Sequence, residues 1–334
     1  MKLYDFRHAR MIRNNINFVF SLNVKTYFRV NGFRIIQWKA SFTELKRNLF
    51  RFRFMHLEPI ERRSNLSREE FLENYLKPKK PVILTDLVKD WPATNKWTFD
   101  WLRQNHGDLI VPLIDKNYHD PDNYFKLAKK MKFREYLDLI EEGPVDLRIF
   151  LFDIFKKIPE LVQDIRYPTI MDGFVKNYKF MFFGGQDSVT SLHYDMDCSN
   201  VFLTQFQTRK KILLFGPDQS EKLYKHPMTV MSHFDPENPD YDKYPAARNL
   251  QGYEGVFSHG ETAFIPSLWW HHIRYVEGGY SIALRANDSV FTTLKGGLYL
   301  ARHSIVDRGM TKLLGKRWKH WKEETAAKNA LAYI

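Results

Sequence analysis

Cysteine is nearly absent from this sequence, since Cys198 is the single one among 334 residues. One thiol excludes an intramolecular disulfide and a multi-cysteine zinc site, and it fits a reducing compartment. Long apolar runs are missing as well. The best candidate, residues 16–24, is shorter than the roughly 18 residues that cross a bilayer, and Asn17 and Asn23 interrupt it. No small-residue cleavage site follows it. We therefore expect neither a membrane span nor a signal peptide, and a cytoplasmic location.

Acidic residues are scarce at the start of the chain. Residues 1–54 hold twelve Lys and Arg but only Asp5 and Glu44, so they carry most of the formal net charge of +12. One interpretation is a basic arm that contacts nucleic acid or anionic lipid. The other is a poorly packed tail outside the folded domain. We place the start of that domain at Met55 and leave both interpretations of the basic extension open.

Two His-x-Asp motifs stand in the sequence, at residues 193–195 and 233–235. Residues i and i+2 of a strand point to the same face, so His193 and Asp195 can reach one metal ion from one strand. This first motif lies between segments rich in β-forming residues, whereas the second runs into a proline-containing turn. A third ligand from a distant strand would complete a 2-His-1-carboxylate triad, which leaves positions open on a non-haem Fe(II).

The pattern of structure changes at about residue 174. Before it, we predict helices and a few strands, with helices at residues 68–75, 98–106, 124–142 and 158–165 and strands at 81–85, 111–114 and 147–152. After it, short apolar segments alternate with turn signals, and we predict strands near 177–183, 190–196, 201–206, 210–215, 261–265, 271–275 and 280–285. This rhythm is typical of an all-β barrel or jelly roll. Residues 296–334 return to a helical pattern.

Four segments in order resemble one known family. They are residues 190–195, 210–219, 238–241 and 265–271. Together they are similar to the JmjC/cupin-like Fe(II)- and 2-oxoglutarate-dependent oxygenases, above all to small bacterial cupin-like proteins and the asparaginyl hydroxylase of hypoxia-inducible factor. The resemblance covers residues 57–288. It implies a mostly β fold with flanking helices, a double-stranded β-helix core at 174–290, a mixed cap region at 55–173 and C-terminal helices at 291–334.

The resemblance also implies the metal ligands. His193, Asp195 and His271 carry over as the iron-binding set. His271 is preferred over His272 because the family's ligand directly follows a tryptophan. Adjacent strand residues face opposite ways, so only one of the two can serve. We expect the ligating atoms of the three residues to converge to within roughly 3–4 Å of one another.

The cosubstrate residues follow from the same likeness. Lys210 matches the lysine that holds the distal carboxylate of 2-oxoglutarate, and Thr190 matches a hydroxyl that assists it. Asn200 matches an asparagine near the cosubstrate, although the loop before it is longer here. Phe150 stands where the animal hydroxylase has a cosubstrate-binding tyrosine. The strand that carries Arg285 also differs from the family pattern, so Arg285 receives no role.

These features predict an Fe(II)- and 2-oxoglutarate-dependent dioxygenase that uses O2, most simply a hydroxylase acting on a protein side chain or a small molecule. Asp195 favours this over a lysine demethylase-like enzyme, whose motif usually carries glutamate. A non-catalytic cupin-fold binding protein is the alternative from another class, and Phe150 supports it. The resemblance implies a homodimer through the C-terminal helices. The basic ends leave a nucleic-acid or ribosome partner open.

Overall fold

Two β-sheets that face each other form the centre of the protein in this computed structural model, which describes residues 54–115, 127–150 and 152–334. The first sheet has the order β1-β11-β10-β13-β8, and the second has the order β2-β3-β12-β9-β14-β7-β6. A hairpin-like pair, β4 and β5, lies apart from them. The strands are β1 (His56–Pro59), β2 (Arg62–Arg63), β3 (Val82–Leu84), β4 (Ile110–Leu113), β5 (Lys129–Lys132), β6 (Arg148–Ile149), β7 (Phe174–Gly184), β8 (Val189–His193), β9 (Asn200–Phe206), β10 (Lys210–Phe215), β11 (Gln251–Phe257), β12 (Thr262–Ile265), β13 (Trp270–Tyr275) and β14 (Gly279–Ala286).

Helices flank both ends of this β core. Ser67 caps the first one and forms a reciprocal capping box with Glu70, as the sequence spacing predicts. Thr98 caps the third by accepting from the Trp101 N–H. The helices are α1 (Arg68–Phe71, continued by a π-helical turn at Leu72–Leu76), α2 (Pro92–Lys96), α3 (Phe99–His106), α4 (Phe133–Glu142), α5 (Ile154–Lys157), α6 (Val290–Arg302), α7 (Arg308–Leu314) and α8 (Lys316–Ala330).

Apolar side chains form three layers around the sheets. The alternating residues of each strand explain this, because neighbours along a strand point to opposite faces. Leu203 of β9 and Leu214 of β10 belong to the cluster between the two sheets. Phe202, next to Leu203, packs instead among the N-terminal helices on the outer face of the second sheet. Leu213 of β10 packs on the outer face of the first sheet against the loop and helices beyond it.

The jelly-roll prediction is confirmed, and most of the predicted strands are present. Three predictions were wrong in detail. The strand expected at 190–196 ends at His193, because Tyr194 donates its N–H to Val230 of a loop. The strand expected at 147–152 is reduced to β6, with Leu151 outside the described residues. In the helix expected at 124–142, residues 124–126 lie outside the described part and Lys129–Lys132 form β5 against β4.

Strand β11 was missed because it contains Gly252 and Gly255, which weaken a strand pattern. The fold requires Gly252. A Cβ there would lie 2.5 Å from the Leu214 carbonyl oxygen and 2.5 Å from the Phe215 ring on the paired strand. Within the described residues, no helix is both long enough and apolar enough to cross a membrane. The basic extension at 1–54 falls almost entirely outside those residues, so its predicted boundary stays a prediction.

Candidate metal centre

Strands β8 and β13 bring the predicted metal ligands together. The strands are antiparallel neighbours, and His193 at the end of β8 lies directly opposite His271 near the start of β13. The two imidazole centroids are 4.2 Å apart. Asp195 follows two residues after the end of β8, and one ligand atom from each of the three residues lies within 4.8 Å of the others. The three residues therefore form one cluster, somewhat wider than the 3–4 Å expected for a closed coordination sphere.

Backbone carbonyls orient both imidazoles toward a metal. His193 Nδ1 lies 2.8 Å from the Ser191 carbonyl oxygen, and His271 Nδ1 lies 3.1 Å from the Trp269 carbonyl oxygen. A carbonyl only accepts, so each Nδ1 carries the proton and donates, and each Nε2 keeps its lone pair. Burial, with the neighbouring His271, lowers the pKa of His193 to about 3. Burial also lowers the pKa of His271, so both rings are neutral, as metal ligands must be.

Arg285 neutralises the carboxylates beside the histidines. Its Nη2 donates to Asp195 Oδ1 at 3.1 Å, and its Nη1 donates to Asp197 Oδ1 at 3.0 Å. Burial alone raises the pKa of Asp195, but Arg285 and the two histidines outweigh it and hold that pKa well below its usual range. Burial raises the pKa of Asp197. One guanidinium thus serves two carboxylates, which leaves the cluster with a negative charge suited to a divalent cation.

Lys210 lies on the same face of the same sheet as His271. In the pairing of β10 with β13, His271 is opposite Leu214 and Lys210 is opposite Tyr275. Four residues separate the two positions, or about 13 Å along the strands at roughly 3.3 Å per residue. Lys210 Nζ donates to Ser281 Oγ at 2.6 Å and lies 4.0 Å from the centre of the Tyr275 ring. It points into the space between the sheets, because Ser281 belongs to β14 of the opposite sheet.

No carboxylate balances the Lys210 ammonium among the residues that the structure describes. The side chain is almost fully buried, with 2% of its surface exposed. Burial lowers its pKa well below the usual value for lysine. A buried cation without a counter-anion is unfavourable, so this position is suited to receive an anionic group from a ligand.

Comparisons with known proteins identify a family and several relatives of this chain. Residues 67–287 match the family model described as a cupin-like domain. The chain is 32% identical over 231 residues to lysine-specific demethylase 8 of Danio rerio, covering 65% of this chain and 55% of that protein. It is 31% identical over 232 residues to lysine-specific demethylase JMJ30 of Arabidopsis thaliana, covering 67% and 54%. It is 29% identical over 252 residues to tRNA wybutosine-synthesizing protein 5 of Homo sapiens, covering 67% and 76%.

The chain belongs to the cupin-like domain family. The match and these relatives confirm the JmjC/cupin-like resemblance. The chain spans about half the length of the two demethylases. His193, Asp195 and His271 fit iron chemically, because they supply two neutral imidazoles and one carboxylate. Such a set leaves coordination positions free for other ligands. The ligand roles of His193, Asp195 and His271 remain predictions that this arrangement supports.

His272 faces away from the cluster, as its parity predicts. It is buried, and its Nε2 lies 3.4 Å from Glu237 Oε2 on the outer side of the sheet. The second His-x-Asp motif is not a strand, and His233 instead lies 3.4 Å from Glu323 of α8. Within the described part of the chain, the cluster formed by His193, Asp195 and His271 is the one detected group of metal-ligating side chains.

Thr190 and Asn200, the other two residues predicted to contact the cosubstrate, lie in different environments. Thr190 lies opposite Ile273, between the levels of His271 and Lys210, and is partly buried. Asn200 is fully buried and uses its amide on the backbone. Its Oδ1 accepts from the Ser267 N–H at 2.9 Å, which fixes the turn that leads to β13. A cosubstrate contact by Asn200 remains a prediction, while its structural role in the turn is evident.

Three residues near the cluster were not assigned from the sequence. Arg285 and Ser281 come from β14, in the opposite sheet, so only the three-dimensional fold brings them to Asp195 and Lys210. Tyr275 is buried beside Lys210, and Gly184 makes room for it because a Cβ at that position would lie 2.8 Å from the ring. Phe150 packs against Phe182, with ring centres 5.4 Å apart. A clue existed only for Tyr275, which shares strand parity with His271.

Proposed function

We propose that this protein is an Fe(II)- and 2-oxoglutarate-dependent oxygenase, and that it acts as a hydroxylase on a protein side chain or a small molecule. One observation carries the proposal. The cluster of His193, Asp195 and His271 lies on one face of one sheet. The Lys210 side chain, which has no carboxylate partner among the described residues, lies on the same face about 13 Å away along the strands. A metal would bind at the cluster, and a dicarboxylate that reaches from the metal to Lys210 would supply the anion that this lysine lacks.

Each residue has a distinct role in this proposal. His193, Asp195 and His271 hold the metal, and Arg285 keeps Asp195 ionised and oriented without binding metal itself. Lys210 binds the distal carboxylate of 2-oxoglutarate, with Ser281 and Thr190 as hydroxyl donors on its two sides. When bound, Fe(II) with 2-oxoglutarate and O2 supplies the oxidising chemistry. The apolar cluster between the sheets excludes bulk water from that space.

The test is 2-oxoglutarate turnover by the purified protein with Fe(II) and O2, measured as succinate formation. The two His-x-Asp motifs provide matched variants. His193→Ala should abolish turnover and weaken metal binding, measured by calorimetry with Mn(II), because it removes a ligand. His233→Ala should retain both, because His233 lies outside the cluster. Equal loss in both variants, or turnover that survives His193→Ala, contradicts the proposed iron site.

A lysine demethylase-like activity is the second candidate, and the names of the relatives from Danio rerio and Arabidopsis thaliana favour it. Demethylation releases formaldehyde from a methylated lysine, whereas stable hydroxylation leaves the oxygen on the product. Incubation with methyl-lysine peptides, followed by formaldehyde detection and mass spectrometry, separates the two. Release of formaldehyde that depends on His193 favours the demethylase. A product heavier by one oxygen favours the hydroxylase.

We also propose that the C-terminal helices form a homodimer. Large apolar side chains are exposed along α6, α7 and the turn between them. Exposed apolar surface of this kind is typical of a protein–protein interface. They include Phe291, Leu294 and Leu298 of α6, Ile305 of the turn between the helices (His303–Asp307), and Leu313 of α7. Light scattering should give a dimer mass that falls to the monomer mass in Phe291→Asp with Leu298→Asp. A monomeric wild-type protein refutes the dimer.

The wybutosine-synthesizing relative keeps an RNA partner as an alternative outcome for the substrate. Residues 291–334 contain nine Lys and Arg and three acidic residues, so binding of tRNA should be measured alongside peptides. Salt-sensitive tRNA binding with tRNA-stimulated succinate formation would favour RNA over a protein substrate.

A further inference from the structure

A second cavity lies on the outer face of the first sheet, away from the metal cluster. Its volume is about 190 Å³. Tyr194 and Met196, which flank Asp195 in the chain, form one wall, and Tyr299 and Arg302 of α6 form another. Lys225 and Glu221, from the loop after β10, complete the polar part of the lining. This cavity therefore joins three separate parts of the chain.

The cations that line this cavity form no close ion pair with the residues that the structure describes. Neither Lys225 nor Arg302 forms an ion pair within the described residues, and Arg302 Nε contacts only the Met228 sulfur at 2.8 Å. Lys225 Nζ lies 5.2 Å from the centre of the Tyr194 ring. Lys295, 5.7 Å from the Tyr299 ring, adds positive charge behind the wall. Burial lowers the pKa of Lys225, the nearby Glu221 carboxylate opposes this by raising it, and Arg302 and Lys295 lower it further.

One carboxylate in the lining is also unsatisfied. Glu221 Oε2 is buried without a hydrogen-bond partner among the residues that the structure describes. The typical arrangement elsewhere in this protein is different. Lys211, for example, lies 3.3 Å from Glu237 and 3.4 Å from Glu254. Charged groups that attract only at a distance, without a hydrogen bond or close ion pair, are costly when partly buried. A ligand that carries the complementary groups removes that cost.

We propose that this cavity binds a small anion that also carries a hydrogen-bond donor, of the kind found in α-amino acids. The anionic group lies between Lys225 and Arg302, where two cations favour it. The donor reaches Glu221 Oε2. The rings of Tyr194 and Tyr299 and the side chain of Met228 supply the apolar walls. The net positive lining favours a ligand with more negative than positive charge, such as an acidic amino acid.

The site is independent of the proposed oxygenase activity. It uses none of the residues that would hold iron or 2-oxoglutarate. Tyr194 nevertheless lies between His193 and Asp195 in the chain, with its side chain in the outer cluster rather than between the sheets. A ligand in the cavity would contact the segment that carries two predicted metal ligands without entering their cluster.

The test uses L-glutamate and inorganic phosphate as probes, with calorimetry at constant ionic strength. L-Glutamate resembles 2-oxoglutarate, so the measurements are made in the Lys210→Met background, where the predicted cosubstrate position cannot bind it. Saturable binding of L-glutamate is expected. Lys225→Met with Arg302→Met should weaken it about tenfold or more, because two charge-assisted contacts are lost. Lys319→Met, on α8 and outside the lining, is the matched control and should bind normally.

Glu221→Gln makes the test specific, because it preserves shape and removes one charge. It should weaken L-glutamate binding, whose ammonium loses its acceptor, and should tighten phosphate binding, since a like charge is removed. If neither L-glutamate nor phosphate binds saturably, the proposed site is wrong. Binding that persists in the Lys225 and Arg302 double variant places the ligand elsewhere and overturns it too. If Glu221→Gln changes neither probe, the donor-recognition part is wrong.

Discussion

Lys210→Met should make the unliganded protein more stable and at the same time remove 2-oxoglutarate binding. The Lys210 ammonium is buried without a carboxylate, and burial holds its pKa well below the usual value. Methionine has a similar length and no charge, so it fills the same space without the desolvation cost. The opposite signs of the two effects distinguish a binding residue from one that is merely structural.

The expected gain in the stability of Lys210→Met is the difference between two effects. Removing an uncompensated buried cation favours the folded state by several kcal/mol. The Ser281 hydroxyl loses its 2.6 Å partner, which costs about 1 kcal/mol. The net gain is therefore about 1–3 kcal/mol, which corresponds to roughly 2–6 °C in melting temperature for a chain of this size.

The stability gained by Lys210→Met over the wild-type protein should also depend on pH. A lysine with a depressed pKa in the folded state binds its proton more weakly there than in the unfolded chain. Stability of the wild-type protein therefore rises as pH increases from the folded pKa toward the unfolded value of 10.5. Methionine does not titrate, so the difference between the two proteins should shrink on the alkaline side.

The assay is thermal denaturation with and without 2-oxoglutarate, in the presence of Mn(II). A ligand at a hundred times its dissociation constant stabilises the folded protein by about 2.7 kcal/mol, and Lys210→Met should lose this term. Lys211→Met is the matched control, since Lys211 points to the other face and pairs with Glu237 and Glu254. It should lose no more than about 1 kcal/mol and keep the ligand effect. A Lys210→Met protein that is less stable, yet still stabilised by 2-oxoglutarate, refutes the reasoning.

Three further predictions concern other parts of the molecule. Arg285→Met should destabilise the metal-free protein by about 3 kcal/mol, because two partly buried carboxylates lose their buried cation. Mn(II) should restore part of this loss in chemical denaturation. Although burial raises the pKa of Glu237, its bonds to His272 and Arg274 lower it to about 2. Its stabilising effect, roughly 2–3 kcal/mol, should be complete above pH 4.5 and disappear as pH falls toward 2. Acid unfolding of Glu237→Gln should lack this transition. A chain that starts at Met55 should melt within about 5 °C of the full chain and consume 2-oxoglutarate at a similar rate. A larger drop would show that residues 1–54 stabilise the fold.

The sequence predicted the metal cluster because its three residues lie in short motifs that can be recognised locally. Strand parity showed that only one of His271 and His272 can serve, and the family resemblance chose His271. The flanking β pattern separated His193 from His233. The same parity argument was wrong for Asp195, which lies beyond the end of β8 because Tyr194 bonds to the loop at Val230. Asp195 still reaches the cluster, since it lies only two residues beyond the end of the strand.

The residues that the sequence did not reveal depend on contacts between distant segments. Arg285 meets Asp195 across the two sheets, 90 positions apart in the chain, and no local pattern marks such a pair. Lysine-rich β5 resembles a helix on its own and becomes a strand through pairing with β4. The glycines that conceal β11 are present because the neighbouring strand approaches too closely for a Cβ at Gly252. In each case tertiary packing overrides local propensity.

The charges between the sheets fit the two proposed ligands only when both are present. Arg285 with Asp195 and Asp197 leaves one negative charge at the metal end, and a protonated Lys210 would place one positive charge at the other. A divalent metal alone would reverse the charge at its end and leave Lys210 unpaired. A dicarboxylate that spans the two ends would neutralise both. Because unbalanced charge is costly between the buried sheets, metal and 2-oxoglutarate should each strengthen the binding of the other, and the coupling must be equal in both directions.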